Sequence, residues 1–217
     1  MKAAIIGGGV IGGGWASRFL LNGWDVNIYD PDSDSQRKLN LMLGNARRSL
    51  PSLYDFNLPK EGEIKFCNSI KEAVENVNWI QESVPERLNI KQDVFKEIQK
   101  YCDKVSVIAS STSGFKPSEL NEGATNPSQI LVCHPFNPVY LLPLVEVVPS
   151  EISDPEIVKL SSDYLNKIGM KPLIVRKEID AHIADRLIEA VWREALWLVH
   201  DDIATTTEID DAMKYAM

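Results

Sequence analysis

Ala3-Ala4-Ile5-Ile6-Gly7-Gly8-Gly9-Val10-Ile11-Gly12 decides the reading of this chain. Four apolar residues that stop at a glycine have the length and punctuation of a buried parallel strand. Over 10–22 the pattern turns helical and closes near Gly23, a residue suited to the position after a helix. Between strand and helix lies G-x-G-x-x-G. Gly7 makes the tight turn, Gly9 lets the backbone approach a pyrophosphate, and Gly12 lets helix and strand pack closely. Gly8, Val10 and Ile11 complete a helix N-terminus whose unpaired N–H groups face phosphate. A second strand over 25–29 ends at Asp30, 23 residues after Gly7. A carboxylate there accepts hydrogen bonds from both ribose hydroxyls and repels a 2′-phosphate, which favours NAD over NADP.

Outward from this motif, strands alternate with helices. Strands are expected over 64–67, 77–80, 105–109, 129–133, 144–148 and 172–175. Helices are expected over 35–50, 70–75, 88–101 and 155–167. Such alternation predicts an α/β fold: a Rossmann-type, doubly wound, mostly parallel sheet. After about Glu178 the strands stop. Apolar residues at 183, 187, 188, 191, 192, 195, 196 and 199 cover more than half of a helix circumference, so that helix expects partners on several sides. A further helix opens at Thr205–Thr207 with Glu208 in its first turn. The expected organisation is an NAD-binding domain over 1–179 and, over 180–217, the start of an all-α domain inside which the chain is cut.

Composition bounds the function. The chain has 217 residues, 23 Lys+Arg and 31 Asp+Glu, a formal net charge of −8, and 44% hydrophobic residues. That is ordinary globular composition, which excludes disorder and fibrous repeats. The acidity argues against nucleic acid, which needs clustered cations. Residues 177–217 hold 4 basic and 10 acidic side chains, so −6 of the −8 sits in the last fifth of the chain. Cys67, Cys102 and Cys133 are sparse, odd in number and outside any C-x-x-C, as in a reduced cytoplasmic protein with no structural metal site. No segment approaches the length of a membrane span. The six glycines between Ala3 and Gly14 separate the N-terminus from a signal peptide.

Chemistry is concentrated in the middle of the chain. His134-Pro135-Phe136-Asn137-Pro138 follows a strand end, and Leu144-Val145-Glu146-Val147-Val148 is an apolar strand interrupted by one carboxylate. A buried carboxylate needs a partner, and His134 on an adjacent strand is the candidate. Glu146 on one imidazole nitrogen fixes the tautomer and raises the basicity of the other, which makes a general base for an alcohol proton. Ser110-Ser111-Thr112-Ser113-Gly114 follows another strand, where hydroxyls can meet a substrate oxygen.

The glycine loop, Asp30, Gln81-Glu82-Ser83-Val84-Pro85-Glu86-Arg87, Ser110–Gly114, His134–Pro138 and Leu144–Val148, in this order and spacing, resemble the 3-hydroxyacyl-CoA dehydrogenase family. The resemblance covers the whole chain. It implies His134 and Glu146 as the catalytic pair, Ser113 on the substrate oxygen, and Asn137, Glu86 and Lys91 among the cofactor-contacting residues. It also implies a homodimer formed through the helical domain. The strings over 134–148, 168–187 and 189–213 are narrower, and look like the branch of that family that oxidises L-carnitine. Where the acyl-CoA enzymes carry Asn in Pro-Gly-Phe-x-x-Asn-Arg, this chain has Asp185 before Arg186, which suits a quaternary ammonium. Phe136, Tyr140 and Trp192 are aromatic candidates for that cation; Trp192, seven residues after Asp185, also reads as core packing. A 3-hydroxyacyl-CoA substrate stays open, with Arg47-Arg48 available to the nucleotide of CoA. So do a gulonate-type 3-hydroxy acid and a non-catalytic, crystallin-like NAD-binding protein.

Overall fold

In the computed structural model, which describes residues 1–216, the chain divides into two compact units, the first Met1–Asp180 and the second beginning at Ala181. The first unit opens with β1 (Lys2–Ile6), α1 (Val10–Leu21), β2 (Asp25–Tyr29), α2 (Ser35–Ser49), β3 (Ile64–Phe66), α3 (Ile70–Val74), β4 (Trp79–Glu82) and α4 (Leu88–Ile98). It continues with β5 (Val107–Ser110), α5 (Pro117–Leu120), β6 (Ile130–Pro135), β7 (Leu144–Val148), α6 (Pro155–Lys167) and β8 (Lys171–Ile174). The strands form one sheet in the order β3-β2-β1-β4-β5-β6-β7-β8. Every pairing is parallel except β6 with β7, which is antiparallel. This is the expected Rossmann-type, mostly parallel α/β sheet. The strand order reverses between β1 and β4, and in such sheets the ligand crevice lies there, at the carboxyl ends of the strands.

The strands are short and apolar because both faces of the sheet are covered. Ile5, Val26, Trp79, Val107 and Leu131 point to one buried cluster, and Ala4, Ile6, Ile80, Ile108 and Val132 to the other. α1 is buried continuously from Gly12 to Leu21, so it behaves as a core helix rather than an amphipathic surface one. Its Phe19 ring lies 5.9 Å from Trp15, 5.8 Å from Trp79 and 5.1 Å from Trp24.

Three strands run further toward their carboxyl ends than apolarity alone suggests. β4 covers Trp79–Glu82 rather than 77–80, because pairing with β1 matches Ala3 to Trp79 and Ile6 to Glu82. β5 starts at Val107 and ends at Ser110, and Val105 lies outside it with 73% exposure. β6 continues through His134 and Pro135, which pair with Glu146 and Val145 of the antiparallel β7. His134 therefore lies inside a strand rather than after its end. α4 stops at Ile98 rather than Tyr101, and the single turn of α5 has no counterpart in the sequence reading.

The second unit holds α7 (Ala184–His200) and α8 (Thr206–Ala216). Thr205 and Glu208 cap α8 reciprocally: Thr205 N–H donates to Glu208 Oε2 at 2.7 Å, and Glu208 N–H to Thr205 Oγ1 at 3.3 Å. No residue of either helix is buried. Where the apolar periodicity expects partners on several sides, Leu187, Ile188 and Trp192 are each more than half exposed. No helix among the described residues is long and apolar enough to cross a membrane.

The aromatic cluster under β1 and β4 should dominate stability. Phe19→Ala removes the ring that three others touch, and is expected to cost about 3–5 kcal/mol in urea unfolding.

Candidate active site

The dinucleotide motif folds as it does for steric reasons. Gly7 has φ +98°, and a Cβ there would stand 2.5 Å from the Ser83 carbonyl oxygen of the neighbouring strand connection. Only glycine accepts both conditions. A Cβ on Gly12 would stand 1.8 Å from the Gly7 oxygen, so α1 crosses β1 backbone against backbone. A Cβ on Gly9 would meet nothing within 4 Å. The chain is thus bare at the one glycine whose role requires a ligand's approach.

Gly9 caps α1 with no side chain on its N–H groups, and no acidic residue stands in the first turn, which contains Val10 and Ile11. A helix N-terminus of this kind favours an anion. Asp30 follows β2. Its Oδ2 accepts from Gly8 N–H at 2.5 Å and its Oδ1 from Asp32 N–H at 2.7 Å, so the carboxylate is aimed rather than free to rotate. A cleft of about 710 Å³ runs between these groups and the β4 end, lined by Gly7, Gly9, Asp30, Asp32, Val84 and Pro85 among others. Bare glycine, helix N-terminus, aimed carboxylate and cleft together fit NAD.

On the other side of the switch point stands a buried ionic group that the sequence reading only partly anticipates. Glu82 at the end of β4 is fully buried. It accepts from Lys91 Nζ at 2.8 Å, from Val84 N–H at 2.7 Å and from Ser110 Oγ at 2.5 Å. Burial pushes its carboxyl up from the ordinary value, and the Lys91 ammonium and the other donors oppose that rise. Lys91 is 1% exposed, and also reaches Glu86 at 3.1 Å and the Val84 carbonyl at 3.3 Å. An ammonium has three N–H groups, and three acceptors take them. Lys91 thus holds Glu86 and the 84–86 connection in place. Glu86 also accepts from Thr112 Oγ1, which in turn receives Phe115 N–H at 3.0 Å. The turn carrying the exposed Ser113 is fastened through these bonds. Glu82 was legible as the lone carboxylate of an apolar strand, the same signal that marks Glu146. The expected strand boundary stopped two residues short of it.

His134 and Glu146 face each other directly in the β6–β7 register. His134 Nδ1 lies 3.0 Å from Glu146 Oε2. Glu146 is fully buried and His134 is 6% exposed. The Phe136 ring meets the His134 ring edge-on at 4.8 Å. Asn137 is exposed at the start of the connection between β6 and β7. Tyr140 packs against the core that contains α1. Arg47, the candidate for CoA, makes a two-pronged ion pair with Glu61 at 2.7 and 3.0 Å, and Arg48 bonds Asn45. Asp185 stands in the first turn of α7 and Trp192 two turns later on the same helix, 59% exposed, both on the second unit. Among the described residues no cluster of His, Cys, Asp or Glu could hold a metal ion.

Residues 2–179 match the family model of the 3-hydroxyacyl-CoA dehydrogenase NAD-binding domain, and residues 182–217 match that of its C-terminal domain. The chain belongs to the 3-hydroxyacyl-CoA dehydrogenase family. It is 61% identical over 212 residues to an L-carnitine dehydrogenase/betainyl-CoA thioesterase of Ruegeria pomeroyi, an alignment covering 98% of this chain and 44% of that protein. It is 49% identical to an L-carnitine dehydrogenase of Mesorhizobium japonicum, covering 99% of this chain and 59% of that protein. The chain spans about half the length of the curated relatives it matches. Among solved structures, the 5-formyl-3-hydroxy-2-methylpyridine 4-carboxylic acid 5-dehydrogenase, an NAD+-dependent dismutase, superposes with a TM-score of 0.91 at 28% identity. That match covers 100% of this chain and 70% of the other.

Two substitutions probe this geometry. Asp30→Ala should weaken NAD binding and relax discrimination against NADP; titration with both dinucleotides measures the ratio. Lys91→Met leaves Glu82 buried without its cation and should destabilise the fold by about 3–5 kcal/mol, read by denaturant unfolding.

Proposed function

We propose that the protein oxidises the 3-hydroxyl of L-carnitine to 3-dehydrocarnitine, with NAD, when bound, accepting the hydride that leaves C3. The observation that carries this reading is the buried His134–Glu146 pair on β6 and β7 of the sheet whose β1, β2 and β4 ends line the dinucleotide cleft. The names of the 61% and 49% identical relatives support the substrate.

The N–H groups of Gly9, Val10, Ile11 and Gly12 would hold the pyrophosphate, Gly7 and Gly8 would shape the turn with their own N–H groups bonded to the Tyr29 carbonyl and Asp30, and Asp30 would hold the adenosine ribose. Glu86 and Asn137, at opposite rims of the strand ends, would meet the nicotinamide half, with Lys91 holding Glu86. Glu146 occupies Nδ1 of His134, so proton exchange falls to Nε2. His134 takes the hydroxyl proton as the C–H bond breaks, and later releases it to solvent. Ser113 would hold the substrate oxygen by a hydrogen bond.

The quaternary nitrogen of L-carnitine is bonded to the carbon next to the reacting one. Whatever recognises it must therefore stand close to His134, and Phe136 does so at 4.8 Å between rings. Tyr140, packed against the core, supports the loop rather than the ligand. The homodimer implied by the family resemblance and the cytoplasmic location read from the sparse cysteines belong to this proposal as well.

The test is NADH formation by the protein at the full length its gene encodes, with L-carnitine, 3-hydroxybutyryl-CoA and gulonate offered in parallel. Turnover of L-carnitine alone is expected. No turnover of L-carnitine would refute the substrate, and NAD binding without turnover of any alcohol would refute the enzyme. His134→Ala should lower turnover by about 10²–10⁴-fold while the NAD dissociation constant stays nearly unchanged. A loss of only a few-fold would remove His134 as the base.

A further inference from the structure

α1 carries a second device behind its glycine motif. Gly14 and Arg18 are four residues apart and share one face of the helix. Both meet the loop over 136–143, which leaves β6 just after His134-Pro135 and enters β7 two residues before Glu146. A Cβ on Gly14 would lie 2.9 Å from Val139 Cβ, and Val139 is fully buried. One residue later, the Tyr140 carbonyl accepts from Arg18 Nη1 at 3.1 Å.

Arg18 is only 2% exposed. Its other donors go to the end of α6: Nε donates to the Ile168 carbonyl at 2.8 Å and Nη2 to the Gly169 carbonyl. Ile168 is the C-cap of α6. Carbonyls there lack intrahelical partners, and the helix dipole favours a cation. A buried guanidinium is costly, and here partial charges on three carbonyls rather than a carboxylate offset that cost. A neutral side chain would fill the same volume more cheaply. The cation joins three segments: the cofactor helix, the end of α6, and the connection between His134 and Glu146. Inside that connection, the Pro138 carbonyl accepts from Leu141 and Leu142 N–H, both at 2.9 Å, so the anchored segment moves as one turn.

We propose that Gly14 and Arg18 are positioning residues, which lock the 136–143 loop, and with it Phe136 and Asn137, onto the helix that cradles the dinucleotide. The proposal rests on the reading of Phe136 and Asn137 as lining the reaction site. The helix that meets the pyrophosphate at its N-terminus thus sets the substrate side two turns later.

The test uses the full-length protein with Arg18→Met, Arg18→Lys and Gly14→Ala. Two readouts are taken: steady-state NADH formation with an independent NAD titration, and hydrogen exchange at the Leu141 and Leu142 amides. In Arg18→Met, kcat/KM for the alcohol should fall on the order of ten- to a hundred-fold, the effect of losing a charge-assisted hydrogen bond. The NAD dissociation constant should stay within about two-fold of wild type, and the two loop amides should exchange faster while those of β1 do not. Arg18→Lys keeps the cation but reaches fewer carbonyls, and should recover part of the loss. Gly14→Ala places a methyl group 2.9 Å from Val139 Cβ while keeping all the Arg18 bonds, and should loosen the same two amides by displacing Val139. Unchanged loop exchange in Gly14→Ala and Arg18→Lys, or equal loosening of loop and β1, overturns the proposal. If wild type fails to oxidise L-carnitine, the functional reading falls and the exchange measurement still decides the clamp.

Discussion

The crossing of α1 over β1 is the constraint on which the other features hang. Gly12 lies so close to the Gly7 carbonyl that no side chain fits between them. That contact fixes the height and angle of α1 on the sheet. From it follow the helix N-terminus at the strand ends, the aimed carboxylate of Asp30, and the ring cluster of Trp15, Phe19 and Trp79 under β1 and β4. A single methyl group at position 12 would disturb ligand site and core together, because both are measured from the same helix axis.

The second organising feature is the reversal of β7. Six parallel strands place their carboxyl ends along one edge, where loops gather and ligands bind. The antiparallel β7 runs back from that edge, so its middle residue, Glu146, stands opposite His134 near the end of β6. The sheet itself spaces the two side chains, and each is held from an adjacent backbone ladder rather than from a loop. An imidazole held in this way needs little reorganisation to exchange a proton.

Much of this was legible in the residues. Gly7, Gly9, Gly12 and Asp30 carry steric and charge requirements that few other residues meet, so their spacing speaks directly for backbone geometry. The His134–Glu146 pairing could be read because an isolated carboxylate in an apolar strand demands a partner. The same logic applied to Glu82, yet it was missed, because Gln81 and Glu82 look like the polar end of a strand until pairing with β1 draws them into the sheet. Arg18 was invisible for another reason. An arginine on a helix ordinarily faces water, and its three carbonyl partners lie 122 to 151 residues away in sequence. The partners of Lys91 Nζ, namely Glu82, Glu86 and the Val84 carbonyl, are assembled only by the folded chain.

The seat of Val139 on Gly14 has a practical corollary for anyone reshaping this protein. The segment between His134 and Glu146 is not an exchangeable cassette. A longer or bulkier replacement must still present a side chain that tolerates a bare helix backbone at 2.9 Å and a carbonyl within reach of a buried guanidinium. Changes introduced there are therefore inherited jointly with positions 14 and 18, more than a hundred residues upstream. A library that randomises the loop while holding α1 constant samples only the sequences that already suit that helix.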